Sequence, residues 1–167
     1  MFSINYKVFF DDISELKGAD GYFQIQVDDE IYGLYLQDDL DSFSVSVYWW
    51  FVYFLRSIQL IKNERLVYIS DIETPRVWIE LKNIDDEKIT IREAHADKLD
   101  GTQAIECHVH SNITYPNLSN KLVLLRDFEC EVLKKAKKYL DDLKQLNDNS
   151  HPYILKFESL IAYAESQ

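Results

Sequence analysis

The sequence predicts a single α+β domain over residues 1–167, in which an antiparallel β-sheet packs against a buried aromatic helix and a long C-terminal helix on one face. Alternating apolar and polar residues indicate strands near the N terminus and through the middle of the chain. The very apolar stretch "VYWWFVYFL" interrupts them, and beyond Pro116 the apolar spacing becomes helical. With 47% hydrophobic and 28% charged residues, the composition is typical of a globular protein with one core.

The strands are predicted from runs of period two that are bounded by turn residues. Acidic turns, "DDE" at residues 28–30 and "NIDDE" at 83–87, divide two of the runs into hairpins. The predicted strand segments are residues 2–10, the hairpin 22–37, residues 65–70, the hairpin 76–94 and residues 104–114. In the second hairpin, Val77, Ile79, Ile89 and Ile91 are expected to face the core.

Residues 43–62 predict a buried helix rather than a membrane span. A span needs about 20 mostly apolar residues, whereas Arg56 and Gln59 interrupt the apolar run here. The N-terminal half is apolar on almost every side, so we expect it to be enclosed by other elements or to meet a partner. Asp41 or Ser42 is expected to cap the start of this helix.

Two helices are predicted at the C-terminal end of the chain. Residues 120–148 place apolar side chains at helical spacing, opposite a lysine-rich side that acidic residues flank. Asn147, Asn149 and Pro152 end this helix, and residues 153–165 form a shorter one. We interpret the lysine-rich side as a solvated helix face rather than as a nucleic-acid site.

The net charge of −11 is concentrated near the N terminus. Residues 1–41 contain ten acidic and two basic residues, a net of −8, and the rest of the chain contributes −3. Such a field repels nucleic acid and anionic membranes and attracts basic proteins. The sequence therefore predicts no nucleic-acid and no membrane partner, although the acidity is also explained by solubility alone.

Acidic and aromatic residues occur together between residues 28 and 49, and they form the candidate partner-binding surface. Carboxylates match lysine and arginine on a partner, and tyrosine supplies contact area at little entropic cost. A hairpin next to a helix start would place them in one continuous patch, whereas the alternative is the ordinary acidity of turns. The predicted partner-binding residues are Asp28, Asp29, Glu30, Tyr32, Tyr35, Asp38, Asp39, Asp41 and Trp49.

Glu106, His108 and His110 share one face of the predicted strand 104–114. Two imidazoles and a carboxylate can bind a divalent metal, with His95 as a possible fourth group. The alternative is the polar outer face of a sheet, and we adopt it, so that no metal and no cofactor is predicted. The inner face of the strand would then carry Ile105, Cys107 and Val109.

The motifs of common enzyme classes are missing from the sequence. It contains no G-x-S-x-G nucleophile motif and no glycine-rich phosphate loop, so an enzyme is not predicted. Cys107 and Cys130 have neither metal-type spacing nor a disulfide pattern, and the first residues lack the features of a secretory signal. A cytoplasmic location is expected.

Three stretches carry a resemblance to a known family: "NYKVFFDDISELKG", "GYFQIQVDDEIYG" and "VLKKAKKYLDDLK". Together with the order of strands and helices, they resemble small bacterial immunity proteins that neutralise polymorphic or contact-dependent toxins, including the WapA-type immunity proteins. The resemblance implies a cytoplasmic, non-enzymatic protein that covers the active site or substrate groove of a cognate toxin C-terminal domain. That partner would be a basic protein such as a cationic nuclease.

The resemblance implies no catalytic residue and identifies no contact residue. Two other hypotheses stay open from the sequence. One is an interaction domain of another purpose, and the other is a metal-dependent enzyme that uses the His108-x-His110 pair.

Overall fold

The structure, a computed structural model, describes residues 1–10, 14–118 and 120–166. Part of the "DDIS" stretch that carries the resemblance lies outside the described residues, and so does the side chain of Asp41. Over the described ranges the chain forms two antiparallel sheets, three α-helices and one turn of 3-10 helix at Asp41–Phe43. The predicted α+β fold is thus confirmed, with its strands divided between two sheets instead of one.

In chain order the elements are β1 Phe2–Val8, β2 Asp20–Val27, β3 Glu30–Leu34, β4 Val45–Ser46, α1 Val47–Asn63, β5 Leu66–Ser70, β6 Val77–Asp85, β7 Lys88–His95, β8 Ile105–Glu106, β9 Lys121–Leu124, α2 Leu125–Leu146 and α3 Pro152–Glu165. The first sheet has the order β1-β2-β3, and β4 pairs with β2 beyond the end of β3. The second sheet has the order β8-β5-β6-β7-β9.

Both predicted hairpins are confirmed. Strands β2 and β3 pair from Val27↔Glu30 onward, so the chain turns at Asp28 and Asp29. Strands β6 and β7 pair along their length, and their inward residues are all buried: Val77, Ile79, Ile89 and Ile91.

Helix α1 occupies the centre of the molecule. It packs against β2 of the first sheet, against β5 and β6 of the second sheet, and against both C-terminal helices. Phe51 is fully buried, and its ring contacts Tyr6, Phe23, Tyr139 and Phe157. The prediction of an enclosed aromatic helix is confirmed, because neighbouring elements cover nearly all of its sides.

The start of α1 differs from the prediction. The helix begins at Val47, and Ser46 caps it by accepting a hydrogen bond from the Trp49 backbone N–H at 3.5 Å. Val45 and Ser46 are held against β2 as strand β4, which keeps the helix from starting earlier. The expectation that Asp41 or Ser42 caps this helix was therefore wrong.

Two segments predicted from periodicity also differ. Residues 121–124 form β9 rather than the first turn of a helix, because they pair with the free edge of β7. Of residues 104–114, only Ile105 and Glu106 form a strand, paired with the end of β5. Val109, expected in the core, is 73% exposed because the chain leaves the sheet edge after Glu106.

Within the described ranges, no helix combines the length and apolarity needed to cross a lipid bilayer.

Candidate functional site

The structure divides the predicted acidic residues into two groups. Asp28, Asp29 and Glu30 lie at the β2–β3 turn, whereas Asp38 and Asp39 follow the other end of β3. The five residues of β3 separate the groups by roughly 15 Å at the rise of a β-strand. The predicted acidic residues therefore lie in two groups at opposite ends of β3.

Nearby positive charges compensate much of the acidity at the β2–β3 turn. Asp28 pairs with the N-terminal ammonium group of Met1, and Asp29 Oδ1 lies 2.9 Å from Lys121 Nζ. The hydrogen bond from Lys121 lowers the pKa of the Asp29 carboxyl. Two of the three turn acids thus already have cationic partners within this chain.

Residues 35–43, which we call the acidic loop, are held in place by a buried tyrosine. The hydroxyl of Tyr22 donates to the Asp38 carbonyl at 2.8 Å and accepts from the Leu40 backbone N–H at 2.6 Å. Lys7 Nζ also donates to the Gln37 carbonyl and lies 2.6 Å from Asp39 Oδ1. These contacts fix the middle of the loop against β1 and β2.

The acidic loop exposes apolar and acidic side chains together. Tyr35 is 39% exposed, Leu40 46% and Phe43 55%, and the side chains of Asp38 and Asp39 are exposed as well. Large apolar side chains beside charged groups on a fixed backbone are typical of protein–protein interfaces.

Tyr32 and Trp49 are placed differently from the sequence prediction. Tyr32 donates its hydroxyl hydrogen bond to the Asp71 carboxylate, and burial together with that charge raises its pKa far above the usual range. The Trp49 ring stacks on Tyr53 at 5.8 Å and carries Lys156 Nζ 5.5 Å from its centroid. Both rings therefore take part in packing between elements of the fold.

A cleft of about 350 Å³, which no sequence pattern predicted, lies between the two sheets. Tyr32, Asp71, Glu93 and His95 line it together with apolar side chains. In the cleft, His95 Nε2 lies 2.7 Å from Glu93 Oε1, so His95 does not join His108 and His110.

The buried carboxylates of this cleft, Asp71 and Glu93, accept hydrogen bonds from neighbouring groups. Asp71 Oδ1 accepts hydrogen bonds from the backbone N–H groups of Glu73 and Thr74, at 3.0 and 3.1 Å. Asn117 Nδ2 donates to the second oxygen of Glu93 at 3.1 Å. Because the Asp71 carboxylate also accepts from Tyr32, this network links the first sheet to the second. The Glu93-x-His95 spacing, which puts both side chains on one face of a strand, is the one local sequence feature that could have indicated part of this network.

Glu106, His108 and His110, which we call the histidine cluster, do come together. Glu106 Oε2 lies 3.1 Å from His108 Nε2 and 3.5 Å from His110 Nε2. Of the three residues, only Glu106 belongs to a strand. His108 and His110 lie on the irregular segment that follows it. The predicted residues are thus brought together by a local geometry other than the predicted one.

The members of the histidine cluster differ in exposure. The side chains of Glu106 and His110 are each 9% exposed, whereas that of His108 is 69% exposed. The His110 ring lies 4.6 Å from the Tyr68 ring and 4.5 Å from the Trp78 ring, centroid to centroid. Burial lowers the pKa of His110, which favours its neutral form.

The fold and these surfaces define an α+β protein in which two antiparallel sheets and two C-terminal helices enclose a central aromatic helix. Comparisons with protein-family models, curated proteins and solved structures give no match to this chain.

Proposed function

We propose that this chain is a non-enzymatic binding protein that holds a basic protein domain against its acidic loop. The partner that fits the proposal is a cognate bacterial toxin domain, a cationic nuclease being the simplest kind, which the chain neutralises in the cytoplasm. Asp38 and Asp39 would occupy positions that nucleic-acid phosphates take in the toxin's substrate groove.

The observation that carries this proposal is the acidic loop itself. It presents Tyr35, Leu40 and Phe43 beside two exposed carboxylates. The buried hydroxyl of Tyr22 fixes its backbone through two hydrogen bonds. A surface that is already ordered loses little conformational entropy when a partner binds. Apolar anchors of this kind supply most of the binding energy in known interfaces.

Charge complementarity supports a basic partner. Residues 35–43 contain three aspartates and no lysine or arginine, and the whole chain carries −11. Asp39 pairs with Lys7 of β1, whose single charge leaves the loop with a net negative charge. Acidic surfaces of this kind raise the rate of association with positively charged proteins by electrostatic steering. The resemblance to bacterial immunity proteins supports a toxin as that partner, since many of their toxins are cationic nucleases.

The test requires the partner to be identified first. Small basic domains encoded next to this chain's gene are expressed in a bacterial host, with and without the chain, and growth is scored. Rescue by the wild-type chain identifies the toxin. We then expect the double variant Asp38→Lys/Asp39→Lys to lose protection, with association slowed about tenfold at low salt and less at high salt.

The matched control is Asp86→Lys/Glu87→Lys, which makes the same charge change on the exposed β6–β7 turn. This variant should protect like the wild type. Equal protection and equal association rates for the Asp38/Asp39 variant, in a chain shown to be folded by circular dichroism, would remove the acidic loop from the proposed mechanism.

A further inference from the structure

The three ligand atoms of the histidine cluster have the spacing of a metal site. One nitrogen from each histidine and one Glu106 oxygen lie within 4.8 Å of one another. Zinc bonds of about 2.1 Å in a tetrahedron place neighbouring ligand atoms about 3.4 Å apart. The two distances from Glu106 Oε2, 3.1 and 3.5 Å, bracket that value.

His110 provides a second and independent observation. Its side chain is nine-tenths buried, and its Nε2 atom makes no hydrogen bond with any residue that the structure describes. Glu106 Oε2, at 3.5 Å, lacks hydrogen-bond geometry. A buried imidazole nitrogen without a partner is costly, so such a group requires an explanation. The unpaired Nε2 atom lies beside Glu106 Oε2, which is one of the other ligand atoms.

The surroundings hold two of the three ligands in position. The Gln103 backbone N–H donates to Glu106 Oε1 at 2.9 Å, which leaves Oε2 directed toward the histidines. Tyr68 and Trp78 contact the His110 ring. Outer partners that orient ligands in this way are a general feature of metal sites.

From this geometry we propose that Glu106, His108 and His110 bind one divalent transition-metal ion, and that Zn²⁺ is the ion their chemistry suits best. Two neutral imidazoles and a carboxylate are zinc ligands, whereas Mg²⁺ and Ca²⁺ prefer oxygen ligands. The site lies on an open depression of about 400 Å³, so a fourth coordination position faces solvent. The metal connects His108 and His110 to the sheet edge at β8.

This proposal goes beyond the proposed binding function and does not depend on it. The acidic loop follows β3 of the first sheet, whereas the histidine cluster follows β8 of the second sheet. A zinc ion here would stabilise the segment that follows β8 whatever the chain's partner is, because a ligand that binds only the folded state stabilises it.

The experiment titrates ZnSO₄ into the purified full chain after treatment with a chelator, using calorimetry and tryptophan emission. We expect one equivalent to bind and to change the Trp78 emission, because that ring contacts His110. His108→Ala and Glu106→Gln should each weaken zinc binding by about 100-fold or more, since loss of a ligand exceeds the 10–100-fold effect of an outer partner. Excess Mg²⁺ should not compete.

The matched control is His151→Asn, which removes a histidine outside the cluster. His151 caps α3 by accepting from the Tyr153 backbone N–H, and asparagine is also a good helix cap. This variant should bind zinc like the wild type. No saturable zinc binding by the folded wild-type chain would overturn the proposal, and so would equal affinity in wild type and His108→Ala. His108 is exposed, so its variant tests binding without disturbing the core.

Discussion

The two faces of the second sheet are built from the same strands but are stabilised differently. The inner face presents Ile79, Leu81, Ile89 and Ile91 to the core that contains α1, and all four are fully buried. Side chains alternate between the two faces along each strand. The outer face carries Tyr68, Trp78, Glu80, Arg92 and Ala94. The segment that follows β8 contributes His110 and Tyr115 to this outer face.

Polar contacts accompany the rings of the outer face. Glu80 is 1% exposed and accepts from Arg92 Nε at 2.8 Å and from the Tyr115 hydroxyl at 2.7 Å. The Arg92 guanidinium lies 3.7 Å from the centroid of the Tyr115 ring, and the Trp78 indole N–H donates to the Ala96 carbonyl at 3.3 Å. Burial and close packing therefore hold the inner face, whereas paired polar groups hold the outer one.

The largest expected effect is on the inner side. Phe51→Ala should lower the free energy of unfolding by about 3–5 kcal/mol, because it removes a fully buried ring and leaves a cavity among its four aromatic neighbours. Urea denaturation measures this loss. Phe10→Ala is the matched control, since Phe10 is 68% exposed and its loss should cost less than about 0.5 kcal/mol. Similar losses in both variants would contradict the assignment of Phe51 to the core.

On the outer face, we expect the largest loss of stability when the Glu80 charge is removed. Glu80→Ala leaves Arg92 and Tyr115 without their acceptor and should cost about 3 kcal/mol. The double variant Glu80→Met/Arg92→Met removes both charges and should lose less than the single variant, by urea denaturation. If the double variant is the less stable one, the loss in Glu80→Ala would not come from leaving the Arg92 charge without its partner.

The buried hydroxyl of Tyr48 should make the stability of the protein depend on pH in the alkaline range. Burial raises the pKa of Tyr48 to about 12, and its hydroxyl donates to the Tyr153 carbonyl at 3.0 Å. Because the unfolded value is near 10, the folded state holds the proton more tightly, and stability is lost as pH rises from 10 through 12. Tyr48→Phe should reduce this loss by about 2 kcal/mol, measured by denaturation at pH 9 and at pH 12. An unchanged pH dependence would place the Tyr48 hydroxyl in water.

The smallest expected effect concerns the anchor of the acidic loop. Tyr22→Phe removes both hydrogen bonds to the loop and should cost about 1–2 kcal/mol, with faster amide exchange within residues 35–43. Exchange in the β6–β7 hairpin serves as the internal control and should not change. Unchanged exchange in the loop would show that Lys7, rather than Tyr22, fixes it.

Local pattern was enough to predict most elements of the fold. Both hairpins, the enclosed helix and the two C-terminal helices follow from the spacing of apolar residues and from turn residues. Pattern failed at residues 121–124, where the apolar run "KLVL" suits a strand as well as a helix. These residues form a strand because the edge of β7 provides backbone hydrogen-bond partners for them.

The sequence was enough to predict which residues belong to the candidate sites, but not how those residues are arranged in space. The acids around the first hairpin stood out in the sequence, yet a strand of five residues keeps them apart, and Tyr22, which orders the acidic loop, carries no local signal of that role. The sequence prediction of the histidine cluster depends on a strand periodicity that the chain does not have. The three residues meet instead because the irregular segment after Glu106 places the His110 ring against Tyr68 and Trp78.

The sequence by itself determined the α+β class, the central position of the aromatic helix and the excess of negative charge, because these depend on composition and on periodicity along the chain. Only the tertiary structure decided which acids lie together, which tyrosines face inward and which histidines meet a carboxylate. Those properties depend on distances between residues far apart in the chain, and long-range strand pairing and burial set such distances.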